Sequence, residues 1–383
     1  MASLKLNLGL NAGMKESIEN DIIPLTGKDI SIVDLLVFTT EHNCSDLYIT
    51  VGEQPYISRY GKITRLPCNT ITMNIWNYFY NSKISSELNQ TYVHEKLLDT
   101  SVLVMIPNSS PNYGKYPGNV YRYRASFGFS MERNTATFRM IKPDQPTFDT
   151  INYDPICIEA LKIAYSKPSG ICYTTGPTGS GKSTTMAASI NSFTQPGGVL
   201  DNKVFITLED PIENIFSNTD SVRISQKELG KDFKTFALGI KASLREHPNI
   251  IIVGECRDKE VICAAIESAR TGHLTSTTFH SSSVAGALNR LTYHLENDKN
   301  LCLDLLLQLN IILAQKMLKQ DGKYLVDTQF LLFTDEITGY LVSRLDDPNV
   351  NLPLEIESLI KNPDNQAKGW SKDWSYEYLH NAA

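Results

Sequence analysis

The run Gly176-Pro177-Thr178-Gly179-Ser180-Gly181-Lys182-Ser183-Thr184 has the spacing G-x-x-x-x-G-K-[ST], and that spacing suits one chemistry, the cradling of phosphate oxygens. Gly176, Gly179 and Gly181 let the backbone curl with its amides pointing inward, where a Cβ would block an approaching oxygen. Lys182 supplies a mobile positive charge for β- and γ-phosphates, and Ser183 offers a hydroxyl to Mg2+. The bland alternative is a glycine-rich turn without a ligand, and context decides between the two. The preceding Gly170-Ile-Cys-Tyr-Thr-Thr175 is short, apolar and β-branched, as a buried strand would be. The following residues 183–191 suit a helix, whose N-terminus stabilises an anion. Strand, loop and helix in that order predict a loop that binds a nucleotide such as ATP together with Mg2+.

A second set of residues sits at strand ends. The apolar runs 203–208, 249–254 and 274–279 each read as a strand and end in Glu209, Glu255 and His280 respectively. In parallel α/β sheets the ligand lies at the carboxyl ends of the strands, the edge from which the phosphate loop also springs. An acid there positions a metal or an attacking water, and Glu255, after Ile250-Ile-Ile-Val253, is the clearest case. His273 and His280 lack the i,i+4 spacing of zinc ligands, and the seven cysteines are scattered without a C-x-x-C pair. Zinc and a disulfide framework are therefore not expected, and the cysteines suit core thiols in a reducing cytoplasm.

The elements that must hold these groups follow from pattern. A chain of 383 residues suggests two or three domains, and 42% hydrophobic with 20% charged residues is ordinary globular composition. A net charge of −6 argues against broad nucleic-acid binding. Residues 1–28 are polar and aperiodic, an expected mobile arm without a signal peptide. Residues 29–142 suggest a small α+β module resembling a sensor (PAS-like) domain: a helix over 30–38, strands over 44–51 and 54–60, one or two helices over 71–88, and a hairpin of 120–129 with 135–141. On that hairpin Arg122, Arg124 and Arg139 share a face, which from spacing alone is simply solvated. Prolines mark 143–155 as a linker. From 156 to 345 strand and helix alternate, with 233–245 and 260–270 as helices, 284–318 mainly helical and 324–333 a further strand. Leu301–Gln315 reads as an amphipathic core helix with Asp304, Gln308 and Gln315 on one stripe, so any membrane association has to come through a partner. Residues 346–383 form a polar tail with Trp370 and Trp374 in a short helix.

Four ordered motifs, Gly176–Ser183, Thr207-Leu-Glu-Asp-Pro-Ile-Glu213, Ile252-Val-Gly-Glu-Cys-Arg-Asp258 and Thr271-Gly-His273…Thr278-Phe-His280, together resemble the type II/IV secretion ATPases, as their Walker A, Asp box, Walker B and His box. Ser45-Asp46-Leu-Tyr-Ile resembles the family's S-D-L-H-L signature, with Tyr48 in place of histidine. The chain looks like the PilT-like branch, lacking the tetracysteine motif of assembly ATPases, and within it most like the DotB and TraJ group of type IVB secretion and conjugation. Residues 1–30 and the last forty match poorly.

The resemblance implies a RecA-like P-loop ATPase domain joined by a short linker to the N-terminal α+β domain. It implies phosphate and Mg2+ binding by Lys182 and Ser183, Glu255 at the metal and the attacking water, and Glu209 as a second acid polarising that water. His280 and His273 would sense the γ-phosphate, while Arg124 and Arg139 would reach a neighbouring subunit's nucleotide. It further implies a homo-hexamer on the cytoplasmic face of an inner-membrane secretion complex, partnered by another secretion ATPase. A pilus-retraction motor, a nucleotide-switched scaffold and a DNA translocase remain as alternatives, the last disfavoured by the acidic balance.

Overall fold

The computed structural model describes residues 30–141, 145–151, 153–320, 323–345, 347 and 350–375. The expected arm at 1–28 lies outside the described residues, as do positions 143, 144 and 152 of the expected linker and 346, 348, 349 and 376–383 of the tail. The chain divides between Pro143 and Asp144 into two compact units.

In the first unit, polar caps start each helix. Helix α1 (Ile32–Glu41) opens on a capping box in which Ser31 Oγ accepts from the Asp34 amide while the Asp34 carboxylate accepts from the Ser31 amide, each at 3.1 Å. Thr72 and Ser85 cap α2 (Met73–Lys83) and α3 (Ser86–Glu95) one way only, their hydroxyls accepting from the Ile75 and Leu88 amides. The strands are β1 (Asp46–Thr50), β2 (Tyr56–Arg59), β3 (Lys62–Arg65), β4 (Leu98–Met105), β5 (Val120–Ser130) and β6 (Arg133–Ile141). They form one antiparallel sheet in the order β3-β2-β1-β6-β5-β4. Strands β3 and β4 were not foreseen. Alternation along β5 buries Tyr121, Tyr123, Ala125 and Phe127. Phe127 meets Trp76, Tyr80 and Phe138 edge-on at 5.9, 5.4 and 5.7 Å between ring centroids.

The second unit is a doubly wound sheet in the order β14-β13-β12-β7-β11-β10-β8-β9. Its strands are β7 (Gly170–Thr175), β8 (Val204–Glu209), β9 (Arg223–Glu228), β10 (Ile250–Val253), β11 (Leu274–Phe279), β12 (Leu309–Gln320), β13 (Lys323–Leu332) and β14 (Ser371–Lys372). Strands β7 to β12 run parallel, and β13 and β14 add antiparallel pairings at one edge. Side-chain alternation sends Tyr173, Ile251 and Val253 into one core and Cys172, Ile250 and Ile252 into another on the opposite face. The first core is covered by α6 (Phe236–Ser243), α7 (Lys259–Arg270), α8 (Val284–His294) and α9 (Lys299–Gln308), and the second by α4 (Pro155–Ser166) and α5 (Lys182–Phe193). Two tail residues, Ile356 and Ile360 of α11 (Leu352–Lys361, which follows α10, Asp335–Arg344), are fully buried in the first core.

Two expectations are overturned. The helix expected to continue through Gln315 and on to 318 stops at Gln308, and 309–320 is β12, paired in parallel with β7. Ile311, Ile312, Leu313 and Ala314 are all fully buried; a short apolar run has no polar face to reveal its period, so helix and buried strand look alike in sequence. Trp370 and Trp374 are not helical but flank β14, where Lys372 pairs with Phe330 of β13. Trp374 lies under the Lys316 ammonium, 4.3 Å from ring centroid to nitrogen.

Phe127→Ala would empty a site ringed by aromatic side chains that cannot all collapse inward. The expected cost is about 3–5 kcal/mol, read as an earlier chemical unfolding transition.

Candidate nucleotide site

The phosphate loop connects β7 to α5 and takes its shape from its glycines. Gly179 and Gly181 hold φ of +80° and +86°, which other residues adopt only under strain. At Gly176 the constraint is steric, because a Cβ there would stand 2.3 Å from the Gln315 carbonyl oxygen and 2.4 Å from Ser180 Oγ. Lys182, in the first turn of α5, is 9% exposed, and its ammonium donates to the carbonyls of Gly176 at 2.9 Å and Pro177 at 3.1 Å. Burial lowers its pKa below the usual lysine value, opposed by the Glu255 carboxylate. Ser183 is half-buried and Thr184 exposed on the same turn.

Across the same sheet edge, the residue after Gly254 is Glu255, whose two oxygens have separate partners. Oε1 lies 3.2 Å from His280 Nε2, and Oε2 accepts from Arg257 Nε at 2.8 Å. The end of β10 is laced to both neighbours, since the Cys256 amide donates to the Thr278 carbonyl of β11 at 3.0 Å and Gly254 N–H to the Leu208 carbonyl of β8 at 2.7 Å. The His280 pKa is lowered by burial first and then by the Lys182 charge, with Glu255 pulling the other way; the imidazole is therefore neutral at neutral pH. Arg290 donates to the His280 carbonyl and lies over the Phe279 ring.

Glu209 ends β8 on this edge but is held by its own set of donors. Oε1 accepts from Thr207 Oγ1 at 2.6 Å and Gln226 Nε2 at 3.1 Å, and Oε2 from the Glu213 amide at 3.4 Å. Burial is the largest influence and raises its pKa above the usual carboxylate value. The structure thus gathers Lys182, Glu255 and His280 into one cluster, with Glu209 fixed beside it on the next strand.

His273 is not brought to that cluster. It precedes β11 at the start of the strand, where its carbonyl accepts from the Gly170 amide at 3.2 Å, whereas the phosphate loop leaves the far end of β7. Six strand residues separate the two edges, roughly 20 Å of chain, so His273 does not join the nucleotide-binding set of its own unit. Arg124 and Arg139 belong to the other unit. They are directly opposed across β5 and β6, both exposed, and Arg139 Nε pairs with the Asp46 carboxylate at 2.8 Å. Arg257, Arg290, Gln226, Tyr153 and Gln315 were missed by sequence reasoning. Only Arg257 carried a signal, being two residues from Glu255.

The residues fit a magnesium–nucleotide. The positive-φ glycines leave amides free to turn inward, the buried Lys182 lacks an anionic partner at hydrogen-bond distance among the described residues, and Ser180 Oγ is buried without a partner. Ser183 and Glu255 supply oxygen donors of the kind a hard cation takes. No cluster of three or more His, Cys, Asp or Glu able to hold a metal occurs among the described residues, and Mg2+ draws most of its ligands from phosphate and water. Removing the Glu255 charge leaves only influences that lower the His280 pKa. Glu255→Gln should therefore move the imidazole titration to lower pH, measured by NMR of the ring protons.

The family described as type II/IV secretion system protein matches residues 115–331. The type IV pilus retraction ATPase PilT of Pseudomonas aeruginosa is 30% identical over 266 residues, spanning 68% of this chain and 70% of its own length. The ATPase DotB of Legionella pneumophila shares the fold at a TM-score of 0.76 and 26% identity, covering 94% of this chain and 100% of that one. The pilus retraction motor PilT with bound ADP gives a TM-score of 0.72 at 24% identity over 93% of this chain and 97% of that one, a likeness of fold. The larger unit is accordingly the RecA-like domain of these ATPases, preceded by their N-terminal domain. The chain belongs to the type II/IV secretion ATPase family and is DotB-like.

Proposed function

We propose that this protein hydrolyses ATP with Mg2+ as a homo-hexamer and powers a type IVB secretion or conjugal transfer machine from the cytoplasmic face of the inner membrane, docked on a partner such as another secretion ATPase. The observation that carries the reading is the meeting of a buried Lys182 with the Glu255–His280 pair at one sheet edge. Lys182 exchanges its loop carbonyls for β- and γ-phosphate oxygens, and Ser183 and Glu255 hold the metal. Mg2+ neutralises the phosphate charge when bound. Glu255 orients the water whose oxygen bonds to the γ-phosphorus as the β–γ bridging oxygen leaves, and Glu209, with its raised pKa, sits beside that path. Neutral His280 donates to the γ-phosphate. Arg124 and Arg139 act on the nucleotide of a neighbouring subunit, where a cation in trans stabilises developing phosphoryl charge.

Similarity to PilT favours a second reading, retraction of a type IV pilus. Fibre retraction in cells carrying the protein supports that reading, and substrate or plasmid transfer that depends on it supports the first.

Steady-state phosphate release is the direct test. Lys182→Ala should abolish turnover and Glu255→Gln should bind nucleotide but stall, with kcat down at least about 100-fold; a fully active Glu255→Gln removes that acid from the mechanism. Because His280 titrates below an ordinary histidine, the acid limb of the rate profile contributed by its protonation should also lie below that value. Subunits with Arg139→Ala mixed with Lys182→Ala subunits should recover activity, since each supplies what the other lacks.

A further inference from the structure

Strand β12 supplies a contact to the phosphate loop that no motif announces. Gln315 is 1% exposed on this strand, one residue beyond Ala314, which pairs with Thr175 at the end of β7. Its Nε2 donates to the Ser180 carbonyl at 2.6 Å, and its Oε1 accepts from the Tyr153 hydroxyl at 3.2 Å. Only an amide NH2 can face a carbonyl oxygen, so the orientation of the side chain follows from chemistry. In a trans peptide the C=O and N–H point in opposite directions. Pulling the Ser180 carbonyl toward β12 therefore turns the Gly181 N–H to the other side of the loop. Gly181, at φ +86°, has little of its own to resist a flip of that unit.

We propose that Gln315, itself oriented by Tyr153, is a positioning residue that fixes the Ser180–Gly181 peptide so that the Gly181 amide faces bound phosphate. The assignment rests on the reading of the loop as a nucleotide site. It explains why a polar side chain occupies the fully buried run of β12, and why that run must approach closely enough to require glycine at 176.

The test uses the full-length protein, a fluorescent ATP analogue for direct binding and inorganic pyrophosphate as competitor. Gln315→Met keeps the length and removes the donor; the Kd for the analogue should rise about tenfold, with an equal loss for pyrophosphate. Tyr153→Phe should give a smaller loss of the same kind. A side chain that merely fills the core would lower the melting temperature while leaving both affinities intact well below it. Folded Gln315→Met that binds both ligands as the wild type does overturns the assignment. Should that variant fail to fold, Tyr153→Phe decides, and unchanged affinities there overturn it equally. Wild-type protein that binds neither ligand removes the nucleotide reading itself, a separate failure.

Discussion

A loop rich in glycine can present its amides to an anion only while something rigid holds it in shape, because glycine loses more conformational freedom on ordering than any other residue. Here the rigid element is the pair of parallel strands β7 and β12. The loop rises from one of them, and the other passes beneath it close enough to place the Gln315 carbonyl against Gly176. The Lys182 ammonium closes the ring from within by donating to two loop carbonyls. Everything else at the site is arranged about this cradle, since a phosphate held there defines where a metal, a water and a carboxylate have to be.

Charge at the edge is balanced among partly buried groups. Lys182 is buried enough for its cationic form to be disfavoured, and Glu255 offsets part of that cost. Glu255 in turn is shared between His280 and Arg257, while Lys182 helps keep His280 neutral. An arriving triphosphate would disturb all of these interactions at once, because each group is set by its neighbours. Glu209 stands apart, locked by Thr207, Gln226 and a backbone amide in a position a bound ligand need not create.

The smaller unit illustrates a different division of labour. One face of its antiparallel sheet is an aromatic core, and strand alternation leaves Arg124 and Arg139 on the other. Asp46, 6% exposed, pins Arg139 through an ion pair. The acid of the Ser45–Ile49 signature thereby gains a physical task, holding an arginine at a chosen place on the open face.

Much of this was legible in the chain. The phosphate loop, the acids at the ends of 204–209 and 250–253, and the hairpin arginines on one face follow from local spacing, which fixes what a strand or a tight turn does with its next few residues. Strands β3 and β4 and the strand 309–320 escaped, the last because its apolar centre, 311–314, carries no period while Asp304, Gln308 and Gln315 also fit a helical stripe. That single mistake hid Gln315, read as one residue of a helical stripe. The motif resemblance, separately, grouped His273 with His280, although six intervening residues carry the chain across the sheet to the opposite edge. Sequence by itself determined which groups could cradle phosphate and which strand ends carry acids, because those are properties of neighbouring residues. Only the tertiary structure decided that Gln315 and Tyr153, 162 positions apart, meet beneath the loop, since contacts at that separation depend on which strands lie side by side.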